Sequence, residues 1–338
     1  MKAIGFNQPL PISNENALQD IELPTPELLP RDILVSVKAV SVNPVDMKVR
    51  ASHQPENGAY RVLGYDAAGV VQAVGSEVKN FKVGDEVYYA GALTRQGSNA
   101  ELQAVDERIV ALKPKTLGFA EAAALPLTTL TAWETLFDRL DVAKPVADGS
   151  KSILIIGGAG GVGSIAIQLL KQLTDLTVIA SASRPESQAW VKQLGADYVI
   201  DHRQNLAEQV AKLNIGQPEF VFSTNYTETY VPQIAELMAP QGRLALIDDP
   251  QNLDIMPLKF KSISVHWEFM FSRSMYETAD ITRQGEILAQ VAELVGSGKL
   301  TTTGNHTLHG INAQNLRQAH ALIERGDTIG KIVLTDEQ

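Results

Sequence analysis

The chain has 338 residues, enough for about two domains with a sizeable core. It contains no cysteine, which excludes disulfides, thiolate chemistry and every zinc site built on cysteine ligands. The net charge is −10, from 29 basic and 39 acidic residues, and no basic stripe is present, so the sequence argues against a nucleic-acid-binding protein. No apolar stretch is long enough for a membrane span, and the first residues are strand-like and unlike a signal peptide. We therefore expect a cytoplasmic protein.

The first 112 residues or so have the pattern of a β-rich domain. Strands are predicted at 33–40, 70–75 and 87–90, and turn signals such as Val83-Gly84-Asp85-Glu86 separate them. This pattern predicts a barrel-like β domain.

From about Phe119 the pattern becomes helical, with helices predicted at 121–124 and 131–140. Strands then alternate with helices, and the strands are predicted at 152–157, 176–181, 197–200, 219–223 and 243–248. A further strand at 262–269, a helix near 281–296 and a closing strand at 331–334 follow. Such alternation is typical of a doubly wound parallel sheet, so we predict an α/β protein with a Rossmann domain beside the β-rich one.

A glycine-rich motif lies where the first of these alternating strands meets its helix. The buried pattern 153–156 leads into Gly158-x-Gly160-x-x-Gly163, and a helical pattern follows. Glycines there permit a tight turn and expose the amides of a helix N-terminus to a pyrophosphate. The predicted contacts are Gly158, Ala159, Gly160, Gly161, Val162 and Gly163. The alternative is a glycine-rich turn with a structural role only.

The end of the second alternating strand indicates which dinucleotide binds. NAD-specific sites usually carry an acid there, whereas this strand ends with Ser181, Ser183 and Arg184. Hydroxyls and a guanidinium suit a 2′-phosphate, so we predict NADPH. Two alternatives stay open. Arg184 could be a surface arginine before Pro185, or Glu186 could swing toward the ribose and favour NADH.

Several segments together resemble the medium-chain dehydrogenase/reductase superfamily. They are Gly64-Tyr65-Asp66-Ala67-Ala68-Gly69-Val70-Val71, Val83-Gly84-Asp85-Glu86-Val87, Asn43-Pro44-Val45-Asp46, the glycine motif and Leu194-Gly195-Ala196-Asp197. Among these segments, Asn43-Pro44-Val45-Asp46 is similar to the zinc-free quinone oxidoreductase branch. The resemblance implies a GroES-like substrate domain of residues 1–127 and 273–338, with a Rossmann domain of residues 128–272.

The resemblance also permits a check of the metal ligands. Zinc-dependent members hold the metal with Cys and His, but Asn43, Tyr65 and Leu127 stand at or near those positions here. We therefore predict no metal, and a zinc alcohol dehydrogenase is the least favoured interpretation. Without a Lewis acid, simple ketones are poor hydride acceptors. The resemblance thus implies an NADPH-dependent reductase of quinones or α,β-unsaturated carbonyls. An NADPH-binding structural or sensor protein with little turnover is the alternative.

The resemblance places three candidate catalytic residues near the substrate. Asn43 could donate to a substrate carbonyl or only form an Asn-Pro turn, and Asp46 lies at the mouth of the same cleft. Tyr65 could supply a hydrogen bond or a proton, or simply fill the space of the missing metal. Asp66 is interpreted as structural, bonded to backbone or to an arginine.

Two further cofactor contacts and an assembly state are expected. The resemblance implies that Thr131 lies beside the nicotinamide, although its hydroxyl could instead cap a helix. Asn225 follows the fourth alternating strand, at the carboxyl edge where ligands bind. The apolar segment 265–271 would expose a strand edge, which favours a homodimer.

Overall fold

The computed structural model describes residues 1–147 and 149–336. The chain divides into two compact units. The first, here called the substrate unit, comprises residues 1–130 and the segment that starts at Phe271. The second, the nucleotide unit, comprises Thr131–Met270. In the described ranges, no helix has the length and apolar character that a membrane span requires.

The described chain forms sixteen strands. They are β1 (Lys2–Phe6), β2 (Gln19–Glu22), β3 (Asp32–Ser41), β4 (Arg61–Val62), β5 (Ala67–Val74), β6 (Glu86–Tyr89), β7 (Leu102–Asp106), β8 (Val110–Leu112), β9 (Ser152–Ile156), β10 (Thr177–Ser181), β11 (Tyr198–Ile200), β12 (Phe220–Ser223), β13 (Arg243–Leu246), β14 (Ser264–Trp267), β15 (Gly304–His309) and β16 (Lys331–Thr335).

Ten α-helices connect these strands over the described residues. They are α1 (Pro44–Ser52), α2 (Phe119–Ala123), α3 (Pro126–Trp133), α4 (Gly161–Leu173), α5 (Pro185–Gln193), α6 (Leu206–Lys212), α7 (Thr227–Leu237), α8 (Ser272–Met275), α9 (Arg283–Gly296) and α10 (Ala313–Glu324). A π-helix, Glu134–Arg139, follows α3 directly. Short 3₁₀ turns occupy Glu56–Gly58, Glu107–Ile109 and Met256–Lys261.

The nucleotide unit is a parallel six-stranded sheet with the order β11-β10-β9-β12-β13-β14. This is the strand order of a Rossmann fold, in which the chain switches direction beside the first strand. The central strand β9 is buried along its whole length, as expected for a strand covered on both faces. The predicted doubly wound sheet is confirmed.

The substrate unit contains a seven-stranded sheet, β15-β16-β3-β5-β6-β8 with β7 also paired to β3, and a smaller sheet β2-β1-β4. Strand β16 runs antiparallel to β3, with Val333 opposite Ser41 and Leu334 opposite Val40. Continued by two residues, this register sets Lys331 opposite residue 43. The β-rich domain predicted for the first part of the chain is confirmed, and the chain's last strand completes it.

Three predicted elements differ from the structure in their bounds. The helix predicted at 131–140 begins earlier, at Pro126, and widens into the π-helix Glu134–Arg139. Proline suits the first helical position because its missing N–H would have no partner there. The strand predicted at 262–269 is shorter, because Ser262 has a φ of 51° and pairing ends at Trp267. The strand predicted at 70–75 starts three residues earlier, at Ala67, and the other predicted strands agree with the structure to within two residues at each end.

Candidate active site

A tight turn in the substrate unit carries Tyr65, with both of its neighbours anchored. Gly64 has a φ of +108°, and a Cβ there would lie 2.5 Å from the Ser98 hydroxyl, so only glycine fits. The Gly64 amide donates to Oδ1 of Asp46 at 2.9 Å. On the other side, Oδ1 of Asp66 accepts from the amide of Leu127 at 2.7 Å. The backbone around Tyr65 is therefore held at both ends.

The ammonium of Lys331 lies at the centre of a buried network that we call the lysine lock. Lys331 Nζ donates to the carbonyl of Val42 at 2.8 Å, to Oδ1 of Asn43 at 2.6 Å and to Oδ2 of Asp66 at 3.0 Å. Asn43 Nδ2 in turn donates to the same Asp66 oxygen at 2.8 Å. The three hydrogens of the Lys331 ammonium thus have three acceptors, and the negative charge of Asp66 is paired with Lys331. The expectation that Asp66 bonds backbone is confirmed by the Leu127 amide, and the cation that pairs with it is a lysine in place of the arginine named as the alternative.

Asn43 and Asp46 are parts of the same frame. Each polar atom of the Asn43 side chain has a partner, in Lys331 for Oδ1 and in Asp66 for Nδ2. Oδ2 of Asp46 accepts from the Asn43 amide at 2.8 Å, while Oδ1 holds Gly64. Both residues are buried, and their hydrogen bonds hold the backbone of the turn that carries Tyr65.

Tyr65 itself is fully buried, and its ring packs edge-on against Phe271 with centroids 5.4 Å apart. Arg61 Nη2 donates to the Tyr65 hydroxyl oxygen at 3.4 Å, a long contact. Burial raises the pKa of Tyr65, and the Arg61 cation opposes that shift only in part. The phenol is therefore protonated at neutral pH. Its oxygen accepts from Arg61, and its own hydrogen has no acceptor in the described part of the chain.

Burial also raises the pKa values of the two carboxyls. Desolvation raises the pKa of Asp46 to about 7, against the backbone bonds from Asn43 and Gly64. Desolvation likewise raises the pKa of Asp66, whereas the Lys331 cation and the amide of Leu127 lower it. We treat Asp66 as ionised, because its two oxygens accept from the ammonium and from two N–H donors.

The donor chemistry around Asn43, Tyr65 and Leu127 does not fit zinc. Zinc in proteins takes thiolate, imidazole or carboxylate ligands, and here the nearby carboxylate of Asp66 is already paired to Lys331. A buried ammonium at this point would also repel a second cation. Within residues 1–147 and 149–336, no group of three His, Asp or Glu side chains is placed to hold a metal.

The glycine motif forms a turn that fits a dinucleotide. Helix α4 starts within the motif, at Gly161, so the amides of Gly161, Val162 and Gly163 lie in the first turn, where helical partners are missing. A Cβ at Gly163 would lie 2.4 Å from the Gly157 carbonyl, so this glycine serves packing. A Cβ at Gly160 would meet nothing closer than 3.6 Å. No internal contact requires glycine at Gly160, whereas close approach of a ligand would.

Ser181 supports this turn from beneath. Its hydroxyl accepts from the amide of Gly157 at 2.9 Å, its carbonyl accepts from Gly158 at 3.1 Å, and the residue is buried. Ser181 therefore stabilises the glycine turn through two hydrogen bonds, and its contact with a 2′-phosphate stays a prediction. Ser183 and Arg184 follow, both half-buried, and Arg184 precedes helix α5.

The other predicted cofactor contacts lie in two places of the nucleotide unit. Thr131 is in α3, past its first turn, and its carbonyl accepts from the Thr135 hydroxyl at 2.7 Å. Asn225 is exposed after β12, and its Oδ1 lies 3.2 Å from the position of a Cβ on Gly157. Asn225 is thus beside the glycine turn. Asp248, two positions past β13, accepts from the amide and hydroxyl of Thr227 and so caps α7.

Sequence reasoning missed three residues of these sites: Lys331, Arg61 and Arg203. Lys331 opens the last strand, and only the pairing of that strand with β3 brings it to Asn43. Arg61 lies four residues before Tyr65, which is a local signal that could have been noticed. Arg203 follows β11, and its Nη2 donates to the Ser183 carbonyl at 2.7 Å.

The fold and these sites define an oxidoreductase of the two-domain dinucleotide-binding type, and comparisons with known proteins specify it. A model of the Alcohol dehydrogenase GroES-like domain matches residues 29–133, and a model of the Zinc-binding dehydrogenase family matches residues 194–334. The chain belongs to the medium-chain dehydrogenase/reductase superfamily.

Three relatives illustrate the range of similar proteins. A zinc-type alcohol dehydrogenase-like protein of Staphylococcus aureus (strain MSSA476) is 42% identical over 338 residues, which is 99% of each chain. A solved protein from Rhizobium etli CFN 42, provisionally named a zinc-dependent alcohol dehydrogenase, is 58% identical, with a TM-score of 0.98 over 100% of this chain and 98% of that one. The quinone oxidoreductase from Coxiella burnetii is 29% identical, with a TM-score of 0.80 over 99% of both chains.

Proposed function

We propose that the protein is an NADPH-dependent oxidoreductase that reduces quinones or α,β-unsaturated carbonyls without zinc. The observation that carries this proposal is the lysine lock. At or near the positions where the resemblance places metal ligands, this chain has the amide of Asn43, the phenol of Tyr65 and the apolar Leu127, and the paired ammonium of Lys331 contacts Asn43. Such a site cannot polarise a simple ketone through a Lewis acid, so the acceptor must already accept hydride well. The quinone oxidoreductase among the similar structures supports the same class of acceptor.

The bound nicotinamide would supply the hydride, and the glycine turn of the nucleotide unit would bind its pyrophosphate. Gly161 to Gly163 offer backbone amides at the N-terminus of α4, and Asn225 lies beside the glycine turn. We assign Arg184 and Ser183 to the 2′-phosphate, which makes NADPH the expected cofactor. Thr131 is assigned to the nicotinamide side.

In the substrate unit, we assign Tyr65 the role of hydrogen-bond donor to the acceptor oxygen. Reduction of a quinone or an enone by hydride places negative charge on that oxygen, and a donor aimed at it lowers the barrier. Tyr65 keeps its proton at neutral pH, because burial raises its pKa. Arg61, which donates to the phenol oxygen, would also make that hydrogen more acidic. Asn43 and Asp46 are assigned the positioning of the Tyr65 turn.

The test is a panel of quinones, enones, aldehydes and ketones, each supplied with NADPH and followed by the nicotinamide absorbance. We expect turnover with quinones or enones and none with simple ketones. Tyr65→Phe should keep the ring packing on Phe271 and lose roughly a hundredfold in kcat, with the NADPH dissociation constant unchanged. Tyr60→Phe is the matched control, since the Tyr60 hydroxyl donates to Gln19 Oε1 at 3.3 Å, away from Tyr65. Unchanged kcat in Tyr65→Phe would remove Tyr65 from the mechanism.

A second candidate function is an NADPH-binding sensor or structural protein, which the complete burial of Tyr65 favours. It predicts cofactor binding with no consumption of NADPH by any member of the panel. The same panel therefore decides between the two functions.

A further inference from the structure

The ends of two neighbouring strands bring an acidic residue close to the predicted phosphate site. In the parallel pair β10 and β11, Ser181 is opposite Ile200, and the Ala182 amide donates to the Ile200 carbonyl at 2.9 Å. Asp201 directly follows β11 and therefore lies beside the segment that leads to Ser183. A carboxylate next to a phosphate site repels the phosphate, as does the acid at the end of the second strand in NAD-specific enzymes. The nucleotide unit would thus carry a carboxylate unfavourable to NADPH.

Arg203 neutralises this carboxylate and reaches the next strand as well. Its Nε lies 3.0 and 3.1 Å from the two Asp201 oxygens, and its Nη2 lies 2.7 Å from Oδ2. The same Nη2 donates to the Ser183 carbonyl at 2.7 Å. One guanidinium therefore binds Asp201 in the bidentate manner typical of arginine and holds the end of β10.

The surroundings keep this arrangement in place. The Asp201 amide donates to Gln209 Oε1, and Gln209 Nε2 donates back to the Asp201 carbonyl, both at 2.8 Å. The Asp201 side chain is only 13% exposed, whereas that of Arg203 is 64% exposed. The bonds from Arg203 lower the pKa of Asp201, so the carboxylate stays ionised. Burial lowers the pKa of His202, the Asp201 charge opposes this shift, and the charges of Arg203 and Arg184 add to it, so the imidazole is neutral near pH 7. Arg184 and Arg203 are thus the cations that face this strand end.

We propose that Arg203 is a specificity-determining residue for the cofactor, because it cancels the charge of Asp201 and holds Ser183 beside the 2′-phosphate site. This proposal rests on the proposed NADPH dependence and extends it. In this arrangement Arg203 pairs with a carboxylate that would otherwise repel the 2′-phosphate. Removal of Arg203 should therefore weaken NADPH binding while NADH binding is kept or improved.

The experiment measures dissociation constants for NADPH and NADH by nicotinamide fluorescence on the intact protein, with no substrate. Arg203→Ala should weaken NADPH binding roughly tenfold, with NADH unchanged or tighter. The double variant Arg203→Ala/Asp201→Asn should regain most of the NADPH affinity, because the exposed carboxylate is gone. In 0.5 M salt the loss in Arg203→Ala should shrink, since surface charges are then screened.

Arg325→Ala is the matched control, because Arg325 is 63% exposed and also pairs with an aspartate two residues away, Asp327. It should leave both constants unchanged. An unchanged NADPH-to-NADH ratio in Arg203→Ala, an equal loss for both cofactors, or no recovery in the double variant would each overturn the inference. A wild-type protein that binds NADH as tightly as NADPH would instead overturn the proposed cofactor, whatever the variants do.

Discussion

Lys331 Nζ lies 3.0 Å from Oδ2 of Asp66, although 265 positions separate the two residues, and both side chains are almost fully buried. A buried ion pair is costly to form, because both ions lose their water, but it is costlier still to break. Here the remaining donors and acceptors are also satisfied, by Asn43, Val42 and Leu127. The last strand of the chain is thereby tied to the turn that presents Tyr65.

Lys331→Met should destabilise the protein by roughly 3–5 kcal/mol, because it leaves Asp66 charged, buried and without its cation. The free energy of unfolding in urea measures the effect. Lys171→Met is the matched control, since the Lys171–Asp197 pair is about one-third exposed on each side, and it should cost less than about 1 kcal/mol. Lys331→Met/Asp66→Asn should be more stable than Lys331→Met alone. Equal losses for Lys331→Met and Lys171→Met would show that the lock contributes no special stability.

The lock also shows where prediction from sequence ends. The strand β9 and the glycine turn that follows it were predictable, because buried runs and glycine spacing are local signals. The candidate residues Asn43, Tyr65 and Asp66 were also recognisable within two short motifs. Their hydrogen bonds were not, because they depend on the register of β16 against β3, which no local pattern encodes.

The predicted 2′-phosphate site after β10 also depends on residues that a local sequence pattern does not reveal. Reading along β10 revealed no acid at its tip, and this pointed to NADPH. The structure adds Asp201 and Arg203 from the adjacent strand, which sequence order alone does not place next to Ser183. A site assembled from several strand ends therefore has to be argued from sheet order as well as from each strand's own residues.

The stability of the protein should fall as the pH rises from about 5 to about 7. Burial raises the pKa of Asp46 from 3.8 to about 7, so the folded protein keeps a proton that the unfolded chain has released in this window. The unfolding free energy then decreases with pH, by at most about 1.4 kcal/mol per pH unit for one proton. Below the unfolded pKa the contribution is fully present, and above about pH 7 it is lost.

Urea unfolding at a series of pH values measures this dependence. Asp46→Asn should flatten the curve between pH 5 and 7, since the side chain no longer titrates, although Asp66 can contribute a slope of the same sign. Asp175→Asn, which alters an exposed carboxylate, should keep the wild-type slope. If Asp46→Asn kept that slope as well, Asp46 would not be the group that holds the proton.

We expect the purified protein to contain no stoichiometric zinc. The reason is the donor set, in which Asn43 and Leu127 replace metal ligands and Lys331 occupies the neighbouring space with a positive charge. Elemental analysis after extensive dialysis should give well below about 0.1 zinc per chain, and a chelator should leave NADPH oxidation unchanged. About one zinc per chain, with activity lost to the chelator, would refute the zinc-free mechanism.

We expect a homodimer formed through β14. This strand ends the order of the parallel sheet, and Trp267 and Phe269 are 54% and 48% exposed beside it. An apolar strand edge of this kind favours pairing with a second copy. Light scattering at micromolar concentration should give twice the 36.6 kDa chain mass, and Trp267→Lys should shift the mass toward one chain. Tyr276→Lys, at an aromatic that is 77% exposed in the substrate unit, should stay dimeric. A wild-type monomer at every concentration would contradict the prediction.

Arg184→Ala provides the sharpest test of the cofactor. Arg184 directly precedes helix α5, after the strand end where the 2′-phosphate is expected. A charge-assisted bond from its guanidinium to that phosphate is worth about 1.5–3 kcal/mol. NADPH binding should therefore weaken by roughly ten- to a hundredfold, at about 1.4 kcal/mol per tenfold change. NADH binding should hardly change, since NADH has no phosphate to lose. Both dissociation constants, measured for wild type and variant, decide the matter. Equal losses for the two cofactors would mean that Arg184 supports the fold, and no loss for either would return Glu186 and NADH to consideration.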